Sequence, residues 1–154
     1  LGIKTTRSEN IMQDSSSSAR ASQLRSYLEK ACNDMDTDGA AGFTNKLEFS
    51  GCTVTVVFHF LAKHHHTSKL SLSDVNLNES GLRGDNHTLA LVIKGFKRKV
   101  EEWTKDGEGY NDNVYFSCRP EYRIDEVWAA WCELVEICGG SANSGGGLFG
   151  SLFR

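Results

Sequence analysis

Asp34, Asp36 and Asp38 alternate just ahead of Gly39. Carboxylates at that spacing converge on one hard cation, and the glycine allows the turn that brings them round. They are the candidate metal ligands, with calcium the candidate ion. The twelfth loop position, which closes a complete calcium loop with a bidentate glutamate, is held by Asn45. A solvated acidic helix end followed by a turn is the competing reading.

Two basic groups suggest a different chemistry. Lys94, Lys97, Arg98 and Lys99 surround Gly95-Phe96, and Lys63 and Lys69 flank a run of histidines. Together they could hold a phosphate or an acidic lipid headgroup. The alternative is a solvated edge strand protected by lysine. His64, His65 and His66, with His59 nearby, are imidazoles of the kind that bind zinc or copper, or form a patch whose charge depends on pH. A polar loop tip flanked by Lys63 and Lys69 is the simpler reading.

A third group is apolar. Leu148, Phe149, Leu152 and Phe153 follow the Gly/Ser-rich stretch that begins at Ser141. A flexible linker ahead of an apolar end suits docking on a partner or a second copy. A disordered end is the alternative.

No catalytic motif stands out. The sequence has no G-x-S-x-G, phosphate-binding loop, dinucleotide fingerprint or H-E-x-x-H. The five cysteines, Cys32, Cys52, Cys118, Cys132 and Cys138, each lie in or beside an apolar pattern. Buried thiols in a reducing compartment are the simple reading, which slightly favours the cytoplasm. One or two disulfides with a thiol left over is the other, and secretion stays open. Asn78-Glu79-Ser80 and Asn86-His87-Thr88 are formal glycosylation acceptors.

The elements that must position these residues follow from patterning. The 154 residues carry 17 Lys+Arg against 20 Asp+Glu, a net charge of −3. That argues against a basic nucleic-acid binder, and no apolar run is long enough to span a bilayer. Residues 1–20, serine-rich and poor in apolar side chains, are expected to be disordered. Residues 21–140 form the expected single domain, and 141–154 the tail. A helix capped by Ser22 places Leu24, Leu28, Ala31, Cys32 and Met35 on one stripe.

About five strands follow. Val54, Val56, Phe58 and Phe60 alternate, with Leu47 and Phe49 extending that face past an irregularity at Ser50-Gly51. A loop at 63–67 leads to a short strand at Leu70 and Leu72. Leu89–Ile93, residues 97–104 and Val114–Cys118 complete the set, with Asp106-Gly107 as a hairpin turn. Pro120 opens the last helix, whose apolar face runs through Ile124, Val127, Trp128, Trp131, Leu134, Val135 and Cys138 before Gly139-Gly140. Trp128 and Trp131 read as core, Trp103 as an exposed anchor.

Helix, antiparallel strands, helix reads as an α+β fold, with the C-terminal amphipathic helix packed on the sheet. Over roughly residues 47–138, a meander closed by a helix bearing Trp128 and Trp131 resembles the pleckstrin-homology-like fold. That resemblance implies binding of phosphoinositides or peptides without catalysis. The expected function is a small non-enzymatic binding or assembly domain acting through a protein partner or self-association. Binding of anionic lipid headgroups is the alternative, and a calcium-dependent structural module is a third reading.

Overall fold

The computed structural model describes residues 2–33, 35–36, 43–60, 63–83, 87–93, 100–104 and 107–140. The elements are α1 (Gly2–Cys32), β1 (Met35–Asp36), β2 (Phe43–Ser50), β3 (Thr53–Phe60), β4 (Lys63–Ser71), a 3-10 turn (Leu72–Asp74), β5 (Gly81–Arg83), β6 (Thr88–Val92), β7 (Val100–Thr104), β8 (Gly107–Asn111), β9 (Asn113–Ser117) and α2 (Ile124–Ile137). The α+β class is as expected, with a helix at each end of the strand run. The strands make two antiparallel sheets: six strands in the order β1-β2-β3-β4-β7-β8, and three in the order β5-β6-β9.

Several boundaries differ from the pattern reading, each for a physical reason. Helix α1 starts at Gly2, far ahead of Ser22. Residues 3–32 contain neither glycine nor proline, so nothing breaks the helix, and its last turns are anchored by the buried Ala21, Leu24, Leu28, Ala31 and Cys32. Ser50-Gly51 is the start of a two-residue hairpin: Ser50 pairs with Thr53, and Gly51 takes φ +58°, where glycine carries no steric penalty. The histidine run is strand β4, its register on β3 shifting between Phe58 and His59. Thr104 pairs with Gly107, so the hairpin expected at residues 106–107 is present and leads into β8. Pro120 lies in the turn before α2, which begins at Ile124.

The core lies where the helices meet the inner face of the six-stranded sheet. Leu47, Val54, Val56, Leu70 and Val100 point inward beneath α1 and α2. Trp131, fully buried, joins the layers: its ring lies 5.7 Å from Phe49 of β2 and 5.2 Å from Phe116 of β9. One side chain from α2 therefore contacts both sheets, and aromatic packing of this kind adds to the area it removes from water. Beyond the end of α2, Gly140 packs against the 3-10 turn, where an added Cβ would run into the Val135 side chain and the Leu72 carbonyl oxygen. A disulfide between Cys52, in the β2–β3 turn, and Cys138, at the end of α2, fastens that corner. The expectation of five reduced cysteines is thus corrected.

A buried asparagine fastens the opposite corner. Asn45 donates through Nδ2 to the carbonyls of Cys32 (2.6 Å) and Ser117 (3.1 Å). Its Oδ1 accepts from the Ser117 N–H at 2.8 Å. Asn33 at the end of α1 accepts from the Leu47 N–H at 2.5 Å. The Arg119 N–H donates to the Ala31 carbonyl at 2.6 Å. The end of α1, β2 and the end of β9 are therefore tied by buried polar groups whose bonds are satisfied.

Candidate functional site

Alternation along a strand assigns each residue to one face of the sheet. One inward row crosses the large sheet through Leu47, Val56, Ser68, Glu102 and Gly109, each opposite the next. It begins aliphatic and turns polar at β4. The neighbouring inward positions His66 on β4 and Asn111 on β8 are polar as well. Polar groups on an inner face are the informative exception to the burial pattern. Among the described residues, they mark where helix cover ends and a cleft opens between the large sheet and β9.

That cleft has a volume of about 420 Å³ and is lined by Phe58, His66, Ser68, Glu102, Asn111, Asn113, Val114 and Tyr115. Four of its polar residues, His66, Ser68, Glu102 and Asn111, form one network. His66 Nε2 lies 2.8 Å from Ser68 Oγ and 3.7 Å from Glu102 Oε1. Asn111 Nδ2 donates to Glu102 Oε1 at 3.1 Å. The His66 ring packs edge-on against Phe58, with centroids 5.3 Å apart. Phe58 and Val114 supply an apolar wall, and Tyr115, 48% exposed, stands at the rim. Among the described residues, the lining contains one carboxylate and neither lysine nor arginine. A volume of this size, mostly preformed and edged by a few hydrogen-bonding groups, is ordinary for a small-molecule site.

The serine, histidine and glutamate do not form a nucleophilic triad. In a triad the imidazole bridges, taking the serine on one ring nitrogen and the carboxylate on the other. Here both approach Nε2, and Ser68 is almost fully buried. The network holds side chains in place and leaves Glu102 and Asn111 facing the cleft.

The residues singled out by the sequence fall elsewhere. Lys69 lies on the outer face of the sheet, opposite Glu101. It lines a shallow cleft of about 370 Å³ together with Glu101, Asp74, Thr53 and Tyr110. With two carboxylates beside one ammonium, this surface does not favour an anion. Lys94, Lys97, Arg98 and Lys99 lie outside the described residues, as do Asp34, Asp38, Leu148, Phe149, Leu152 and Phe153. Lys63 and Asp36 are described as backbone, Lys63 at the start of β4 and Asp36 in β1 opposite Thr44. Among the described residues, no group of three or more histidine, cysteine or acidic side chains could hold a metal. Nor is any described helix long and apolar enough to cross a membrane.

Of the aromatic residues, Trp131 is core as expected, while Trp128 is half-buried beside Gly81. Trp103, expected to be exposed, is half-buried on β7 opposite Thr67 and Glu108. Tyr110, 63% exposed on β8, is the more open ring.

The chain matches no protein-family model, no curated protein and no solved structure.

Proposed function

We propose that this chain is a non-enzymatic binding module whose site is the cleft between the large sheet and β9. One observation carries the reading: the inner face of the large sheet changes from aliphatic to hydrogen-bonding side chains where the cleft opens. Burying such groups is costly unless they are hydrogen-bonded; here they bond to one another and keep Glu102 and Asn111 facing the cleft, where a ligand can add further bonds.

The chemistry of the lining selects the ligand class. Phe58, Val114 and Tyr115 favour an apolar or aromatic body. Glu102, the one charged group among the described lining residues besides the titratable His66, favours a cationic or N–H-donating head, and Asn111 and Asn113 add donors and acceptors. The ligand is therefore a small amphipathic amine or a molecule of similar polarity. The arrangement around His66 Nε2 supports binding over catalysis.

The test compares naphthylmethylamine with naphthylmethanol, its uncharged analogue, by calorimetric titration of the full chain. The amine should bind at least several-fold more tightly, and Glu102→Gln should remove the difference while leaving the melting temperature nearly unchanged. Equal affinities for the two probes, or a preference that survives Glu102→Gln, would count against this site.

A second reading rests on a separate observation. Among the described residues, strand β8 ends the large sheet at an open edge and is exposed along most of its length, with Tyr110 the most exposed large side chain on it. An open edge can receive a strand from a partner or a second copy. This retains protein association as the alternative, through β8. Light scattering of Tyr110→Lys against the parent chain tests it, since unchanged mass over a concentration series would remove it.

A further inference from the structure

We propose that Cys32 and Cys118 form a second disulfide, joining the end of α1 to the end of β9. Their sulfur atoms lie 2.8 Å apart, far inside the contact distance of two unbonded sulfurs and too close to leave room for a thiol hydrogen between them. Both residues are fully buried.

The approach is imposed by the backbone on both sides. Ala31 and Cys32 are held through their carbonyls, by the Arg119 N–H and by Asn45 Nδ2. Ser117 is held on both its N–H and its carbonyl by the same Asn45. The Cys118 N–H donates to the His87 carbonyl at 2.8 Å. These bonds bracket each cysteine in the chain and bring the two sulfurs together.

Burial pushes the Cys32 thiol up, as does the neighbouring Cys118, and the indole N–H of Trp131, directed at the Cys32 sulfur, offsets only part of this. The net effect holds Cys32 well above an ordinary thiol, so little thiolate exists once the fold has closed. Oxidation therefore belongs to folding, before the pair is sealed.

The step is thiol–disulfide exchange with a small-molecule disulfide of the glutathione type. One cysteine thiolate attacks it, forming a mixed disulfide and releasing one small thiol. The second cysteine thiolate then displaces the other small thiol as the Cys32–Cys118 bond forms. Two electrons pass to the oxidant, and the two cysteine protons end on the released thiols. The new bond would interleave with Cys52–Cys138 along the chain, and each pair is 86 residues apart. Cys132 remains as the odd thiol, pushed up to about 12 by burial and by Glu136, and so kept protonated.

The experiment refolds the full chain with excess glutathione disulfide. It is then denatured, its remaining thiols are alkylated, and it is digested with trypsin under non-reducing conditions. Cleavage after lysine and arginine, except at the Arg119-Pro120 bond, places Cys32 in peptide 31–46 and Cys118 in peptide 106–123. Cys52 falls in 47–63, and Cys132 and Cys138 share 124–154. The expected map joins 31–46 to 106–123, and joins 47–63 to 124–154 with a single alkyl group on Cys132. Recovery of Cys32 and Cys118 as alkylated thiols, or of either joined to any other cysteine, would overturn the proposal.

Discussion

Asn45 shows how a single side chain can hold a corner of the fold. It satisfies two carbonyls and one N–H in a fully buried position, linking the ends of α1 and β9 to β2. A buried group left without its partner costs about 1–3 kcal/mol. Asn45→Ala should therefore lower stability by roughly 2–4 kcal/mol in urea unfolding. Asn45→Asp should cost more, because a carboxylate oxygen would face the Cys32 and Ser117 carbonyls in place of a donor. An aspartate variant as stable as the alanine variant would mean that the donor geometry contributes nothing. None of this was legible in the sequence, where Asn45 occupies the last position of an incomplete calcium loop. Its partners lie 13 and 72 residues away, beyond the reach of local patterning.

At the scale of elements, two links hold the helices in place. Arg20 on α1 reaches Glu133 on α2 through paired contacts of 2.6 and 2.8 Å. Hydrogen bonding from Arg20 holds the Glu133 carboxyl below its ordinary value. A carboxyl with a depressed folded-state pKa contributes stability above its unfolded value and loses it as pH falls through the folded value. Glu133→Gln should thus cost stability at neutral pH and almost nothing below the ordinary carboxylate range. Thermal melts across that interval check this. The effect should be small and reduced by salt, because both side chains are about half exposed. The Cys52–Cys138 bond is the larger constraint. Replacing both cysteines by alanine should cost about 2–4 kcal/mol, read from the urea midpoint at unchanged slope.

Element legibility followed side-chain type. Alternating β-branched and aliphatic residues at Val54–Val56, Leu89–Leu91 and Val114–Phe116 made β3, β6 and β9 readable, and the apolar stripe did the same for α2. Only the end of β4, at Leu70, was readable; the rest was hidden because its inward positions His66 and Ser68 are polar, as a loop's are. Gly107 and Gly109 hid β8, since glycine reads as turn when no neighbouring strand is in view. The cleft was hidden for the same reason: Ser68, Glu102 and Asn111 come from three strands, and each looked like part of a solvated face.

The whole molecule is two antiparallel sheets joined by Trp131, fastened at one corner by Cys52–Cys138 and at another by Asn45. The cleft begins where the helices no longer cover the large sheet, so its shape depends on the sheets keeping their spacing. Trp131→Ala should cost about 3–5 kcal/mol and weaken binding in the cleft along with stability, whereas Glu102→Gln should change binding alone. The most direct test of the cleft as the binding site is a nitrogen-15 spectrum of the chain titrated with naphthylmethylamine. The expected result is a set of shifts confined to residues around His66, Ser68, Glu102, Asn111, Val114 and Tyr115, absent with naphthylmethanol at equal concentration. Shifts on the outer face around Lys69, Glu101 and Tyr110, or none at all, would contradict it.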